Sequence, residues 1–291
     1  MSKIALGTVK FGMDYGINSI RSQVSPEEIE DLLGYAYLQG IDLLDTAPAY
    51  GSSEKILGSY KPHDFKIITK TRHFNCIEIG KKELQQIEND FFQSLKNLKK
   101  NHVYGLLIHN SNDLLKPGSN KLYSRLKDIK QKGLINKIGV SIYNPTQLEL
   151  ILRNYDIDIV QLPCNILDKR FVNSGMLAVL KDRGIEIHAR SVFLQGLLLM
   201  SEHTRPKKFN HWEALWKIWH EWLNDYKISA LEASIRHVIS ISEISKVLVG
   251  VDTSDQLKEI VIASDGALPT IPNELSTNDV NLLNPSNWGR L

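Results

Sequence analysis

Asp42-Leu-Leu-Asp45-Thr-Ala-Pro-Ala-Tyr50-Gly51 is a short apolar run that ends in a carboxylate, turns at Ala-Pro and then presents a phenol. The next two apolar runs end in the same manner. Lys66-Ile-Ile-Thr-Lys70 closes on an ammonium, and Tyr104-Gly-Leu-Leu-Ile-His109 closes on an imidazole. Ionisable groups at the carboxyl ends of successive strands mark a parallel β/α barrel, whose chemistry sits at that face. The same alternation, followed outward, gives eight predicted strands: Ile4–Thr8, Asp42–Thr46, Lys66–Thr71, Gly105–His109, Lys137–Ile142, Ile159–Pro163, Glu186–Arg190 and Lys246–Val251. Near-continuous apolar runs are expected of parallel strands covered on both faces.

Helical stretches separate these runs and carry their own start and stop signals. Ser25-Pro-Glu-Glu28, Asn144-Pro-Thr-Gln147 and Thr253-Ser-Asp-Gln256 read as capped helix starts. Gly40, Gly133 and Gly184 fall where a helix should stop before the next strand. Eight β-then-α units predict an α/β fold, a closed (β/α)8 TIM barrel, as one domain over residues 1–291. An open doubly wound sheet is disfavoured, because no Gly-x-Gly-x-x-Gly follows the first strand. One segment departs from the repeat. Residues 197–226, after strand seven, form an insertion with Trp212, Trp216, Trp219 and Trp222 at helical spacing. It reads either as a helix packed on the barrel or as an aromatic flap over the active site.

Composition bounds the partners. A net charge of +2, with no long block of like charge, argues for neither nucleic acid nor a membrane surface. Cys76 and Cys164 fit neither a disulfide framework nor a zinc site. No metal is expected. With no signal peptide and no apolar run near ~18 residues, a cytoplasmic location is expected.

The chain resembles the aldo-keto reductases. Asp45 through Gly58 is similar to that family's first signature, and Lys70 and His109 match the next two catalytic positions. Gly133-Leu-Ile-Asn-Lys-Ile-Gly139-Val-Ser141, Gln161 with Asn165, Gln195-Gly196 and Val249-Gly250 through Gln256 are similar to later motifs, in order along nearly the whole chain. The overall pattern resembles bacterial members linked to surface-polysaccharide sugars.

The resemblance implies NAD(P)H-dependent reduction of an aldehyde or ketone, or the reverse, with hydride from nicotinamide C4 and the proton from Tyr50. The residue chemistry agrees. A free phenol has a pKa near ~10, and an adjacent ammonium favours its phenolate. Lys70 is the candidate for that role, with Asp45 holding Lys70 in place and His109 orienting the carbonyl. No side chain supplies hydride, so a nicotinamide cofactor is required. The resemblance places Thr8, Ser141, Gln161, Arg190, Ser191, Leu194, Gln195, Gly196, Gly250, Asp252 and Gln256 around it. Ile142 stands where the family has an Asn, and Arg190 where an aromatic usually stacks. Asp252 and Asp255, with no Arg in the eighth turn, predict weak discrimination between NADP(H) and NAD(H). Polar residues at the strand ends, among them Lys10, Tyr15, Arg72, His73, Asn110, Asn144, Asn165 and Lys169, point to a polyhydroxylated or anionic small-molecule carbonyl substrate, first of all a sugar derivative. The alternative is a nucleotide-sensing regulatory protein of the channel β-subunit type. A Schiff-base aldolase using Lys70 would leave Tyr50 without a role. Oligomeric state is not legible.

Overall fold

The structure is a computed structural model and describes residues 2–17, 23–60 and 65–291. Eight parallel strands close into a barrel: β1 (Ile4–Gly7), β2 (Leu43–Asp45), β3 (Lys66–Lys70), β4 (Val103–Ile108), β5 (Ile135–Ser141), β6 (Ile159–Pro163), β7 (Glu186–Arg190) and β8 (Lys246–Gly250). β1 closes the ring on β8, with Ile4 opposite Val247 and Gly7 opposite Gly250. The expected eight are therefore the eight observed. Six of them end one residue earlier than the sequence suggests, so Thr8, Thr46, Thr71, His109, Ile142 and Val251 start the loops instead. Five of these six stay buried past the last ladder bond, Thr8, Thr46 and Thr71 among them, and His109 is partly buried.

Two layers hold the barrel. Ala5, Leu43, Ile68, Leu107, Ile159 and Leu248 fill its interior. A larger shell, including Leu6, Leu44, Leu106, Ile138, Val160 and Val247, faces the surrounding helices. Burying an aliphatic side chain contributes about 1.5–3 kcal/mol, so these layers dominate the fold's stability. Gly40, Gly133 and Gly184 each end a helix with positive φ, as their positions suggested.

The three expected helix starts form with altered partners. Ser25 Oγ accepts from Glu28 N–H, but the Glu28 carboxylate turns away to accept from Ser254 N–H at the start of helix Ser254–Ala263. It thereby ties the first long helix to the last. Asn144 Oδ1 accepts from Thr146 N–H at 2.8 Å, and Gln147 reaches Ser111 and Asn112 across the neighbouring loop.

Helix Glu213–Tyr226 carries three of the four indoles, and Trp212 ends the short 3-10 turn Lys207–Trp212 just before it. Trp216, Trp219 and Trp222 are buried in a second core with Leu275, Leu282 and Trp288 of the C-terminal segment. Their N–H groups donate to Phe209, Leu198 and Thr270 carbonyls. Trp212 donates to Asp279. Among the described residues no helix is long and apolar enough to cross a membrane.

Candidate active site

A cavity of about 570 Å³ opens at the carboxyl ends of the strands. That volume is within the ~300–1,000 Å³ common for small-ligand sites. Asp45, Tyr50 and His109 line it. Lys70 lies behind them with its side chain fully buried.

Local structure explains why Tyr50 arrives there. Gly51 has φ +59, a conformation that favours glycine. A Cβ on Gly12 would fall 2.0 Å from Tyr50 O, so the Tyr50 turn packs directly on the backbone after β1. Ser53 Oγ donates to Thr8 O at 2.9 Å, and Thr8 Oγ1 donates to Asp45 O at 3.0 Å. Glu54, almost fully buried, accepts from Thr69 Oγ1 at 2.6 Å. The signature that follows Asp45 is thus largely a clamp on the strand ends that carry Asp45 and Lys70.

Lys70 Nζ donates to Asp45 Oδ2 at 2.6 Å, to Thr46 O at 3.0 Å and to Tyr50 OH at 3.2 Å. Burial opposes the charge on Lys70, but the Asp45 carboxylate and the Tyr50 oxygen more than offset it and hold the ammonium above its ordinary range. Burial raises the Tyr50 phenol, and Lys70 only partly offsets it. The net direction is the reverse of the expected lowering. Desolvation of a phenolate outweighs one ammonium, so Tyr50 rests as the protonated form that an acid needs. His109 is pushed down to about 2, first by burial and then by the charges of Lys70, His73 and Arg190. It is a neutral imidazole, and its Nδ1 is buried without a partner. The Tyr50 and His109 rings meet edge-on with centroids 6.0 Å apart.

Of the residues expected around a cofactor, Thr8, Ser141, Gln161, Arg190, Ser191, Gln195, Gly196, Gly250, Asp252 and Gln256 line the cavity. Leu194 does not. It is fully buried in the second core, and its N–H donates to Ser191 O at 3.0 Å. The Gly196 N–H is likewise taken within the loop, by Phe193 O at 2.9 Å. Ser191, Leu194 and Gln195 all have positive φ, a strained run for side-chain-bearing residues at the cavity wall. Gln161 Nε2 donates to Asp45 Oδ1 at 2.8 Å, so it also orients the carboxylate that holds Lys70. Asn144 caps a helix and does not line the cavity. Arg190 makes no ion pair among the described residues. Its guanidinium lies 3.9 Å over the Tyr143 ring and donates to Ile142 O at 3.1 Å.

Three site features were not legible in the sequence. Tyr143 and Glu259 line the cavity without any spacing that singles them out. Lys10 Nζ pairs with Asp252 Oδ1 at 2.5 Å, although 242 positions separate them, because β1 and β8 are neighbours. Asp255 pairs with Lys258 at 2.8 Å. The two carboxylates of the eighth turn are therefore each matched by a cation. Asn165 is buried and holds its own loop through Leu167 and Asp168 N–H. Neither it nor Asn110 or Lys169 lines the cavity. Among the described residues no three His, Cys, Asp or Glu side chains are grouped to hold a metal.

The model of the aldo/keto reductase family matches residues 3–271, and the chain belongs to that family and so to the NAD(P)-dependent oxidoreductases. It is 25% identical to D-arabinose 1-dehydrogenase of Saccharomyces cerevisiae over 199 residues, 62% of this chain but only 59% of that protein. It is 23% identical to an oxidoreductase of Bacillus subtilis over 91% of this chain and 92% of that one. Among solved structures it is similar to a holo aldo-keto reductase of Bacillus halodurans, with TM-score 0.72, 19% identity and coverage of 92% and 88%. It is also similar to a glycerol dehydrogenase of Gluconobacter oxydans, with TM-score 0.68, 22% identity and coverage of 93% and 88%.

Proposed function

We propose that this protein reduces an aldehyde or ketone to the alcohol with NADPH or NADH, in the cytoplasm, using Tyr50 as the acid. The observation that carries this reading is the Tyr50–Lys70–Asp45 chain, whose phenol end faces the cavity while its ammonium stays buried. A carboxamide needs a donor and an acceptor, and the cavity offers the Ser141 hydroxyl and the Gln161 amide together. The chain's residues fit a nicotinamide, which when bound supplies the hydride. His109, neutral, donates a hydrogen bond that orients the carbonyl oxygen. Tyr50 O–H passes its proton to that oxygen, and the phenolate left behind is stabilised by Lys70 Nζ. Asp45, held by Gln161, keeps Lys70 in place. Solvent then returns a proton to Tyr50.

The name of the yeast relative supports a polyhydroxylated substrate, and of the polar strand-end residues Lys10, Tyr15 and His73 line the cavity to meet one. Dual cofactor use follows from the eighth turn. Lys10 and Lys258 offset the repulsion that Asp252 and Asp255 would exert on a 2′-phosphate, leaving neither sign in excess. Tyr50→Phe tests the reading, since it deletes the proton donor and little volume. Turnover should fall ~10²–10⁴-fold, as for loss of a general acid, with cofactor affinity kept. Retention of more than about half of wild-type turnover, where chemistry limits the rate, would exclude Tyr50 as the acid.

A further inference from the structure

A second cavity, of about 360 Å³, adjoins the first between the loop after β3 and the start of helix Lys81–Leu98. His73 lines both. Its ring meets His109 edge-on, with centroids 4.5 Å apart. The second cavity therefore begins one ring beyond the group that holds the carbonyl oxygen in the reading above.

Its polar wall consists mainly of donors: Arg72, His73, Asn75, Lys82 and Gln86. One carboxylate, Glu83, also faces it, and one Glu83 oxygen is committed to Gly80 N–H at 3.0 Å. Arg72 is gripped from behind by Asp90, which accepts from Nε and Nη2. Gln86 Nε2 donates to the same carboxylate at 2.8 Å. This grip fixes the guanidinium plane and uses only two of its three nitrogens. Asp90 offsets part of the Arg72 charge, so recognition there rests on oriented donors as well as on net charge. Arg72, His73, Asn75 and Lys82 are exposed, so the crevice is open to solvent and presents its donors at the surface.

We infer that this second cavity is a specificity subsite for a carboxylate or phosphate on the carbonyl substrate, held by Arg72, His73 and Lys82. The substrate is then an acidic or phosphorylated small carbonyl compound, with its reactive carbon at Tyr50 and its anion in the crevice. The inference rests on the reductase reading for what is turned over, but the anion site itself does not.

The test has two arms. In the first, glyceraldehyde is compared with glyceraldehyde 3-phosphate, and butanal with succinic semialdehyde. The charged member of at least one pair should be preferred, chiefly through a lower KM, and the pair that shows it identifies phosphate or carboxylate. Losing one charged hydrogen bond is expected to lower the charged-to-neutral ratio of kcat/KM ~10-fold in Arg72→Gln and in Lys82→Gln. A merely structural role would lower both members alike and leave the ratio unmoved. In the second arm, Cys76 lines this cavity and is partly exposed, whereas Cys164 is buried. Alkylation by iodoacetamide thus reports on the crevice, and inorganic phosphate or succinate should slow it several-fold in the wild type and less in either variant. A ratio that both variants leave unmoved, or alkylation unchanged by both anions, overturns the subsite. Failure of all four carbonyls to turn over would count against the reductase reading instead, and the alkylation arm then decides the anion site alone.

Discussion

At the amino-terminal mouth of the barrel, Glu186 accepts from Tyr104 and Lys137 at 2.6 Å each and from His188 at 3.3 Å. Asp42 there is shared by Lys66 and Lys246. At the carboxyl-terminal mouth, the phenol of Tyr50 faces a cavity, His109 Nδ1 has no partner, and Ser191, Leu194 and Gln195 hold left-handed backbone. An apolar layer separates the two. The residue types are nearly the same at both ends: a tyrosine, a lysine, a carboxylate and a histidine. What differs is whether a cavity reaches the chain, since His188 Nδ1, like His109 Nδ1, is buried without a partner. At the lower mouth Glu186 and Asp42 are each paired with lysine, the cavity does not reach them, and the charges act as a plug. At the upper mouth one end of the chain is left open, and strain is tolerated beside it, as is common where a ligand is received.

The largest effect should come from breaking the upper chain. Lys70→Met should lower turnover ~10²–10⁴-fold and also destabilise by about 3–5 kcal/mol, because a buried carboxylate loses its cation. Asp45→Asn should behave similarly. The double variant should regain stability without regaining turnover, since the two residues act as one unit on Tyr50. Urea denaturation and kcat measured on the same samples check this. Additive losses in both would mean that Asp45 and Lys70 do not share a role.

The lower mouth should show the opposite pattern. Glu186→Gln should cost on the order of 2 kcal/mol of stability, discounted for partial exposure, and leave turnover of the folded protein near wild type. A variant that stays stable but turns over slowly would erase the distinction between the mouths.

The two ends should also answer pH in different windows. His109 is pushed down to about 2 and His237 to about 4, each chiefly by burial. Their folded values lie below the unfolded ~6.5, so the unfolded chain takes up protons first. Stability should hold above about pH 6.5 and fall below it by about 1.4 kcal/mol per pH unit for each histidine. His109→Gln should remove one such slope. Burial opposes the Glu186 charge, but its bonds from His188, Lys137 and Tyr104 overcome this and hold the carboxylate down to about 2. Its stabilisation should be full above the unfolded value near ~4.5 and fade only as the pH drops toward 2. Chemical denaturation at pH 7.5, 6.5, 5.5, 4.0 and 3.0, in the wild type and in Glu186→Gln, separates the windows, and a flat profile between 6.5 and 5.5 would contradict the neutral assignment of His109.

The smallest effect concerns the eighth turn. Lys10→Met should leave Asp252 uncompensated and shift selectivity toward NADH, by about fivefold for ~1 kcal/mol of partly screened repulsion. Asp252→Arg should shift it toward NADPH. Fluorescence titration of both cofactors measures each, and wild-type NADPH binding more than about a hundredfold tighter than NADH would refute the balance of charges.

The barrel, its eight strands and the positions of Asp45, Tyr50, Lys70 and His109 could be read along the chain. Those features follow from local periodicity and from residues fixed to particular strand ends, and strand order equals sequence order in this fold. Other properties depended on which loops meet in space. The sequence placed Asp252 in an acidic turn, but only closure of β1 on β8 brought Lys10 to it. It placed the Leu194 backbone N–H beside the cofactor, but only the folded loop after β7 shows that N–H donating to Ser191 O and the side chain packed in the second core. It suggested that Lys70 lowers the Tyr50 pKa, but the depth of burial reversed the sign. The Trp spacing showed one helical face, and only the C-terminal segment, distant in sequence, determined that this face is core. Pattern fixes what each residue can do on its own element. Burial and pairing across elements are sums over the whole packed chain, and no window of sequence contains them.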